Sequence, residues 1–387
     1  MYEKGILLCA TKNSGFVIGT QLLNLVFQMP DLDVIYVVHD GFLAKDVQIM
    51  KSICKFIDLK FISFEEFDFV KKIHETNKID VSLSDYDVWS RYTHMTFGRF
   101  EALRLLSECK KILYIDFDMI LRGSVNELYD IDKPLAMTRA SASLEYGLGF
   151  KVNGIDCSVS NYGAPIILFT NYLNKPNNLY NEIYNFTAEN FLKLSKGKLL
   201  DQAVFTAIIL KNNLEVEVID SDIYNGNCAW KKCDQAKILH AFGKYNRFWN
   251  NKITALTRPE FFVFYNKWVE LGGSKYTDGW QNNSDLPLIG GELYSFLQNY
   301  QNAKVVYKAL EKYFIISTDF DFSRSVKLQL TTECSRRVIH LEIRNINAAS
   351  VSLELVSGSN IKLGIVVPRT RLADETLKFI NKNYFLV

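Results

Sequence analysis

The stretch that decides the fold reads Lys111-Ile112-Leu113-Tyr114-Ile115-Asp116-Phe117-Asp118. An apolar run that stops at polar residues predicts a buried strand. Its end carries two carboxylates one residue apart, and ligands of open α/β sheets bind at the carboxyl ends of the strands. Asp116 and Asp118 can therefore face one divalent cation, since hard ions prefer carboxylate oxygens. The plain alternative is a pair of solvated turn acids, because Asp-x-Asp is a common pattern.

The chain around this strand alternates between strand and helix patterns. Apolar runs predict buried strands over 5–10, 34–39, 59–64, 111–115, 166–169 and 216–219. Helical spacing of apolar residues predicts helices over 16–27, 44–56, 92–109 and 199–210. Buried strands separated by helices are typical of a mostly parallel sheet covered on both faces. The predicted fold class is therefore α/β, with a mostly parallel sheet.

The last third of the chain has a different pattern. Residues 271–291 are rich in Gly, Asn, Ser and Asp and predict a linker. Beyond this linker we expect a helical segment over 292–314. Alternating residues then predict strands over 326–330, 338–343, 350–356 and 362–367. We therefore predict a main α/β domain over 1–270 and a small strand-containing C-terminal domain over 292–387.

Composition excludes several classes of protein. The 387 residues carry 45 Lys+Arg and 43 Asp+Glu, a net charge of +2, which argues against a nucleic-acid binder with one dominant basic field. Seven cysteines, odd in number and without a CxxC motif, predict reduced, mostly buried thiols in a cytoplasmic protein. No stretch approaches the roughly 18 consecutive apolar residues of a membrane span, so none is expected.

Further short motifs follow in order along the chain. They are Phe97-Gly98-Arg99, Val125-Asn126-Glu127-Leu128-Tyr129, Asn161-Tyr162-Gly163, Leu200-Asp201-Gln202 and Ile238-Leu239-His240-Ala241-Phe242-Gly243. With the Asp-x-Asp strand they resemble glycosyltransferase family 8, which includes glycogenin and bacterial lipopolysaccharide galactosyl- and glucosyltransferases. The resemblance covers residues 5–255 and implies a GT-A-like fold, in which the α/β sheet is a Rossmann-like nucleotide-binding sheet.

The resemblance implies a role for each motif. The metal ligands would be Asp116, Asp118 and His240, holding manganese or magnesium against the diphosphate of a UDP-sugar. The implied donor-binding residues are Ala10, Thr11, Asn13, Phe16, Arg99, Asp116, Phe117, Asn161, Gly163, Gly243, Lys244 and Arg247. Asp201 and Gln202 would be the catalytic pair. Glu145 is a further candidate for contact with the sugar.

Three segments leave alternatives open. Residues 243–249 lack the family's Lys-Pro-Trp, so either Lys244 or Arg247 would grip the diphosphate. In the first loop Phe16 would stack on the base where the family has Tyr, or it is an ordinary core aromatic. The basic aromatic stretch 237–268 is either an acceptor or membrane-surface site or simple packing against the sheet.

The function that the resemblance implies is metal-dependent, retaining transfer of a hexose, from UDP-glucose or UDP-galactose, to a glycan acceptor. Bacterial surface polysaccharide or lipopolysaccharide synthesis is the expected context. Gln202 is a poor nucleophile and no second carboxylate motif is evident, so front-face attack is favoured over double displacement.

Two other functions remain as alternatives. One is a haloacid-dehalogenase-like phosphohydrolase with Asp116 as nucleophile, and the other is a catalytically silent sugar-nucleotide or glycan-binding protein. We expect no nucleic-acid partner. We do expect a homo-oligomer and peripheral contact with the inner membrane surface. The C-terminal domain is expected to serve acceptor recognition, assembly or docking at that surface.

Overall fold

The structure is a computed structural model of the chain. It describes residues 1–77, 83, 89, 92–227, 235–241, 247, 249 and 260–276, together with the strand backbone at 315–316, 325–331, 338–347, 350–357 and 361–368. The chain forms two compact units: Met1–Phe117 with Gly123–Asn225, and Asp118–Arg122 with Gly226–Val387.

The elements of both units are numbered along the chain. The strands are β1 (Tyr2–Ala10), β2 (Val34–His39), β3 (Asp58–Ser63), β4 (Cys109–Ile115), β5 (Met119–Leu121), β6 (Leu135–Ser143), β7 (Ser160–Thr170), β8 (Val216–Val218), β9 (Gly226–Asn227), β10 (Ile238–His240), β11 (Ile315–Ile316), β12 (Ser325–Thr331), β13 (Val338–Asn347), β14 (Ser350–Ser357) and β15 (Ile361–Pro368). The helices are α1 (Gly15–Gln28), α2 (Ala44–Ile53), α3 (Glu66–Asn77), α4 (Glu101–Leu105), α5 (Leu144–Leu148), α6 (Pro176–Glu189), α7 (Phe191–Leu194), α8 (Leu200–Lys211), α9 (Ser221–Tyr224) and α10 (Glu260–Glu270).

The first unit is built on a seven-stranded sheet in the order β3-β2-β1-β4-β7-β6-β8. The pairs β3–β2, β2–β1, β1–β4 and β6–β8 are parallel, whereas β7 runs antiparallel to both β4 and β6. The predicted α/β class with a mostly parallel sheet is confirmed. Strand β2 begins and ends where its apolar run does, because a strand covered on both faces is apolar throughout.

Aromatic side chains fill much of the core of the first unit. The rings of Trp89 and Phe191 stack with centroids 4.8 Å apart, and Phe69 packs against both Trp89 and Phe97. These residues are at most 1% exposed. Close contacts between rings stabilise a core beyond the apolar area that they bury. The high aromatic content of the sequence therefore serves packing here.

Strand directions bring distant segments to one edge of this sheet. Strands β1 and β4 are parallel with Leu7 opposite Tyr114, so both end at the same edge. Strand β7 pairs Ile166 with Ile115 in the antiparallel sense, so β7 begins at that edge and β6 ends there. We call it the carboxyl edge, and the opposite edge, where β1, β2 and β3 begin, the amino edge. Ligands of α/β sheets bind at the carboxyl edge.

Within the described residues, the second unit contains two sheets. The first has the order β5-β10-β9, with His240 opposite Met119. The second is an antiparallel sheet in the order β11-β12-β13-β14-β15, and its last four strands match the four predicted in the tail. Helix α10 is followed by a turn that packs back on it. Nε1 of Trp268, within α10, donates to the Ser274 carbonyl at 2.8 Å. The domain bounds at 270 and 292 stay a prediction.

One predicted helix is wrong. The segment 92–109 forms a 3-10 helix over His94–Phe100 and the short helix α4, and β4 already begins at Cys109. Gly98 lies so close to the sheet that a Cβ there would be 3.0 Å from Val38 and 3.3 Å from Cys9. Strand β6 and helix α6 were not predicted at all. No helix within the described residues is long and apolar enough to cross a membrane.

Candidate active site

Asp116 is held by groups of the carboxyl edge. Its carboxylate accepts a hydrogen bond from the Tyr114 hydroxyl and lies 3.3 Å from Arg99 Nη2. Its backbone N–H donates to the Pro165 carbonyl at 2.9 Å, and its carbonyl accepts from Gln21 Nε2 at 2.7 Å. Because both backbone and side chain are bonded, the direction of this carboxylate is fixed before any ligand arrives.

Arg99 connects Asp116 to the predicted catalytic pair. Its guanidinium lies 3.1 Å from the Asp201 carboxylate and 4.6 Å from the centre of the Tyr114 ring, and it is only 6% exposed. Burial acts to lower the pKa of Arg99, but the carboxylates of Asp201 and Asp116 outweigh it and raise that pKa. Arg99 is therefore a permanent buried cation between two carboxylates.

Asp201 and Gln202 lie in the first turn of α8, a helix that is buried along most of its length. Gln202 Oε1 is 3.5 Å from the Ala164 backbone N–H, and its Nε2 has no hydrogen-bond partner within the part of the chain that the structure describes. A buried amide donor without a partner costs free energy. The Gln202 amide is therefore available to a polar ligand at this edge.

The start of β7 packs tightly beside this pair. The Tyr162 backbone N–H donates to Thr206 of α8 at 3.0 Å, and the Asn161 amide donates to the Ala142 and Ser143 carbonyls. At Gly163 a Cβ would lie 2.3 Å from Thr138 Oγ1. Glycine is thus required at this position by the neighbouring strand, whatever its part in donor binding.

The first loop lies at the same edge, after β1. Ala10 is buried, Thr11 is half-buried and Asn13 is exposed. The Phe16 side chain is fully buried at the start of α1, which favours its interpretation as a core aromatic over a base-stacking ring. Stacking on a base would require this ring to leave the core. The other three residues stay predicted donor contacts.

Asp118 lies in the second unit, one residue after the half-buried Phe117. It is 4% exposed, His240 Nε2 is 3.1 Å from its Oδ1, and Arg247 Nε donates to its Oδ2 at 3.2 Å. The Asp118 carbonyl also accepts from the Ala241 backbone N–H at 3.0 Å. Burial acts to raise the pKa of the Asp118 carboxyl, but His240 and Arg247 outweigh it and lower that pKa. The group is therefore a buried carboxylate at neutral pH.

In the second unit, Asp118 and His240 offer a carboxylate and an imidazole to a metal ion, and Asp116 precedes Asp118 by two residues in the chain. The two carboxylates belong to one tripeptide, and His240 already contacts one of them. Two carboxylates suit magnesium and manganese alike, while an imidazole nitrogen favours a transition metal. The donor set fits a divalent cation, and manganese better than magnesium.

Comparison with known proteins decides the family. The model of glycosyl transferase family 8 matches residues 16–217, which is more than half of the chain. The chain belongs to glycosyl transferase family 8. No curated protein matches it by sequence.

Solved structures of glycosyltransferases are similar to this family 8 chain at low identity. They include the galactosyltransferase LgtC in complex with donor and acceptor sugar analogs, at 13% identity, TM-score 0.48 and coverage of 69% of this chain and 99% of that one. The bifunctional glycosyltransferase WbbM has 14% identity and TM-score 0.49, with 70% and 51% covered. GlyE of Streptococcus pneumoniae TIGR4 has 16% identity and TM-score 0.43, with 70% and 64% covered.

Family 8 membership agrees with the predicted GT-A-like α/β fold and with a glycosyltransferase. It gives no support to a phosphohydrolase. Of the residues predicted from the motifs, the structure brings Arg99, Asp116 and Asp201 together by ion pairs. Gly243 and Lys244 lie outside the described residues. Glu145 lies in α5, 3.8 Å from Lys151.

The sequence did not predict two side chains that donate to Asp116, those of Tyr114 and Gln21. Tyr114 precedes Asp116 by two residues, so alternation along the strand places both side chains on one face and could have indicated the contact. Gln21 has no such signal, because α1 and β4 meet only in the folded chain. Among the described aromatics of the basic aromatic stretch, Phe264 is half-buried, and the other four are buried, which favours packing as their role: Trp249, Phe261, Tyr265 and Trp268.

Proposed function

We propose that this family 8 enzyme transfers a hexose, glucose or galactose, from a UDP-sugar to a glycan acceptor with retention of configuration and with a divalent metal. The observation that carries the proposal is the buried carboxyl-edge network in which Arg99 joins Asp116 to Asp201. Buried charges are expensive to keep, so a network of this kind is expected where a polar ligand is bound. Synthesis of a bacterial surface polysaccharide or lipopolysaccharide is the proposed context.

Asp116, Asp118 and His240 would hold the metal, preferably manganese. When bound, such an ion neutralises the charge that develops on the leaving diphosphate. Arg247 would supply a second positive charge to the diphosphate, because it already lies beside Asp118 and a guanidinium bonds two phosphate oxygens at once. We assign this role to Arg247 on that contact, and Lys244 lies outside the described residues.

The environment of the catalytic pair favours front-face attack. The Asp201 carboxylate is 5% exposed and forms an ion pair with Arg99, so it is a weak nucleophile. Gln202 offers an amide donor that can orient a sugar hydroxyl or the attacking group. In this route the leaving phosphate oxygen accepts the proton of the acceptor hydroxyl as the new glycosidic bond forms, and no enzyme group bonds to the sugar.

The test uses Asp118→Asn with Asp132→Asn as its control, since Asp132 is an exposed turn acid. UDP release from UDP-glucose and UDP-galactose is measured with manganese, with magnesium and with EDTA. We expect release by the wild type and the control with metal, and loss of release in Asp118→Asn and in EDTA. Manganese binding, followed by titration calorimetry, should be lost in Asp118→Asn alone.

Three outcomes would contradict the proposal. Full activity of Asp118→Asn in EDTA would exclude the metal-dependent route. Phosphate release from a generic phosphate ester, without UDP release, would indicate a phosphohydrolase. UDP binding without turnover of either sugar would indicate a silent binding protein.

Location, assembly and the role of the tail belong to the same proposal. We place the enzyme in the cytoplasm, with peripheral contact at the inner membrane surface, and expect a homo-oligomer. Residues 292–387 would serve acceptor recognition, assembly or that contact. Cell fractionation and light scattering test these points, and a protein recovered only as a free monomer in the soluble fraction would contradict them.

A further inference from the structure

A strongly basic surface lies at the carboxyl edge beside the catalytic pair. It consists of residues 139–160, from the end of β6 to the start of β7, and residues 191–199, from α7 to the start of α8. We call these two segments the basic rim. Their cations are Arg139, Lys151, Lys193, Lys196 and Lys198, and their acids are Glu145 and Asp156. The net charge of this surface is +3, more than that of the whole chain.

Hydrogen bonds hold the two segments of the basic rim together. The Gly147 carbonyl accepts from the backbone N–H groups of Lys198 and Leu199, at 2.9 and 3.2 Å. At Gly149 a Cβ would lie 3.1 Å from the backbone of Gly197, so the backbones of the two segments are in direct contact. Lys193 Nζ is also 5.5 Å from the Phe150 ring. The basic rim is therefore one continuous surface.

This surface is adjacent to the reacting groups. Lys198 precedes Asp201 by three residues, which limits their Cα separation to about 10 Å. The Tyr92 hydroxyl donates to the Lys198 carbonyl at 2.8 Å and fixes the loop just before α8. The lysines at 193, 196 and 198 are all exposed. A ligand that lies along the basic rim therefore reaches the catalytic pair.

Arg139 and Tyr146 give the basic rim features that suit a sugar. The Arg139 guanidinium lies 3.7 Å from the centre of the Tyr162 ring and donates to the Ser160 carbonyl at 2.9 Å. The side chain is exposed, but these two contacts fix its position. Binding an anion therefore costs it little conformational entropy. The Tyr146 ring in α5, 58% exposed, adds an aromatic face to the same rim. A fixed cation and an exposed ring on one basic surface suit a glycan that carries negative charge.

We propose that the basic rim binds the acceptor, and that this acceptor is an acidic glycan bearing carboxylate or phosphate groups. The proposal rests on the proposed glycosyltransferase function and adds the chemical class of the acceptor. The surface charge of the rim raises the local concentration of such a glycan at the catalytic pair.

The test measures binding of three short oligosaccharides to the full chain without donor. The probes are trigalacturonate, maltotriose phosphorylated on its terminal hexose, and plain maltotriose. Titration calorimetry at low and high salt should show binding of one or both anionic probes, weakened by salt because exposed charges are screened. Preference between the two anionic probes distinguishes carboxylate from phosphate as the group recognised.

A charge reversal on the rim is compared with an equal one elsewhere. Lys193→Glu/Lys196→Glu should weaken binding of the anionic probe by about ten-fold, since two attractive contacts become repulsive. Lys51→Glu/Lys55→Glu, also exposed but at the amino edge, makes the same change in net charge and should leave that binding as in the wild type. Circular dichroism and thermal unfolding check that both variants are folded.

Each remaining outcome counts against the acidic acceptor. Equal binding of neutral and anionic probes, no binding of any probe, or equal weakening in both double variants would overturn it. Failure of the proposed transfer function shows separately, because UDP release from a UDP-sugar is measured without any acceptor. Binding without turnover would thus refute the enzyme and keep the glycan site.

Discussion

The two edges of the central sheet carry similar ion pairs in different surroundings. At the carboxyl edge the Arg99 and Asp201 side chains are each 7% exposed in their ion pair. At the amino edge Lys4 and Asp31 lie 2.9 Å apart, with side chains 33% and 44% exposed. An exposed pair contributes little to stability, whereas a buried pair costs desolvation and becomes destabilising when one partner is lost. The buried pair is therefore explained better by function than by stability.

The largest expected effect concerns a carboxylate at each edge. Asp116→Asn should reduce turnover about 1000-fold, roughly 4 kcal/mol of transition-state stabilisation, because a proposed metal ligand and the partner of Arg99 are weakened together. UDP release under saturating donor is the measurement.

Asp33→Asn is the matched change at the amino edge. Asp33 accepts from the backbone N–H groups of Glu3 and Lys4, at 2.8 and 3.0 Å. Its replacement should cost about 1 kcal/mol of stability and leave turnover unchanged. If the two variants lose activity alike, the carboxyl edge has no special part in the reaction.

The second prediction compares the cations of the two edges. Arg99→Met leaves the carboxylates of Asp116 and Asp201 without their buried counter-ion, so the free energy of unfolding should fall by about 3–5 kcal/mol. Lys4→Met at the amino edge should change it by less than about 1 kcal/mol. Urea unfolding followed by fluorescence measures both. Similar losses in the two variants would show that burial of the Arg99 pair has no energetic consequence.

The third prediction compares a glycine at each end of the sheet. Gly163→Ala places a Cβ 2.3 Å from Thr138 Oγ1, and should destabilise the protein by about 1–3 kcal/mol through overpacking. In the double variant Gly163→Ala/Thr138→Ala most of this loss should be recovered, because the clashing oxygen is gone. A Cβ at Gly5 would lie 3.0 Å from the side chains of Cys109 and Val34, which is a milder overlap, so Gly5→Ala should lower the unfolding free energy by less. Equal unfolding free energies for the single and double Gly163 variants would exclude the clash.

The sequence predicts the elements that are buried on both faces and fails where tertiary contact decides. Residues 34–39 form β2 as expected, because a short unbroken apolar run between turns predicts a buried strand. The helix expected over 92–109 was wrong because Gly98 packs against the sheet, which no local pattern reports.

The site shows the same division. The motifs single out Asp116, Arg99 and Asp201 one by one, yet nothing in their spacing says that Arg99 joins the other two. That arrangement depends on the strand order and on the position of α8. Phe16 shows the opposite case, because an aromatic at a helix start fits both a core and a ligand site until its burial is known.

The smallest expected effect compares two exposed aromatic rings. Phe56 at the amino edge is 98% exposed, so Phe56→Ser removes almost no buried area and should change the unfolding free energy by less than about 0.5 kcal/mol. Tyr146→Ser on the basic rim, where the ring is 58% exposed, should be nearly as neutral for stability but should weaken binding of the acidic oligosaccharide. Thermal unfolding and calorimetry separate the two readouts. Weaker oligosaccharide binding in Phe56→Ser, or unchanged binding in Tyr146→Ser, would contradict this prediction. Either result would mean that the Tyr146 ring at the carboxyl edge contacts the oligosaccharide no more than the Phe56 ring at the amino edge does.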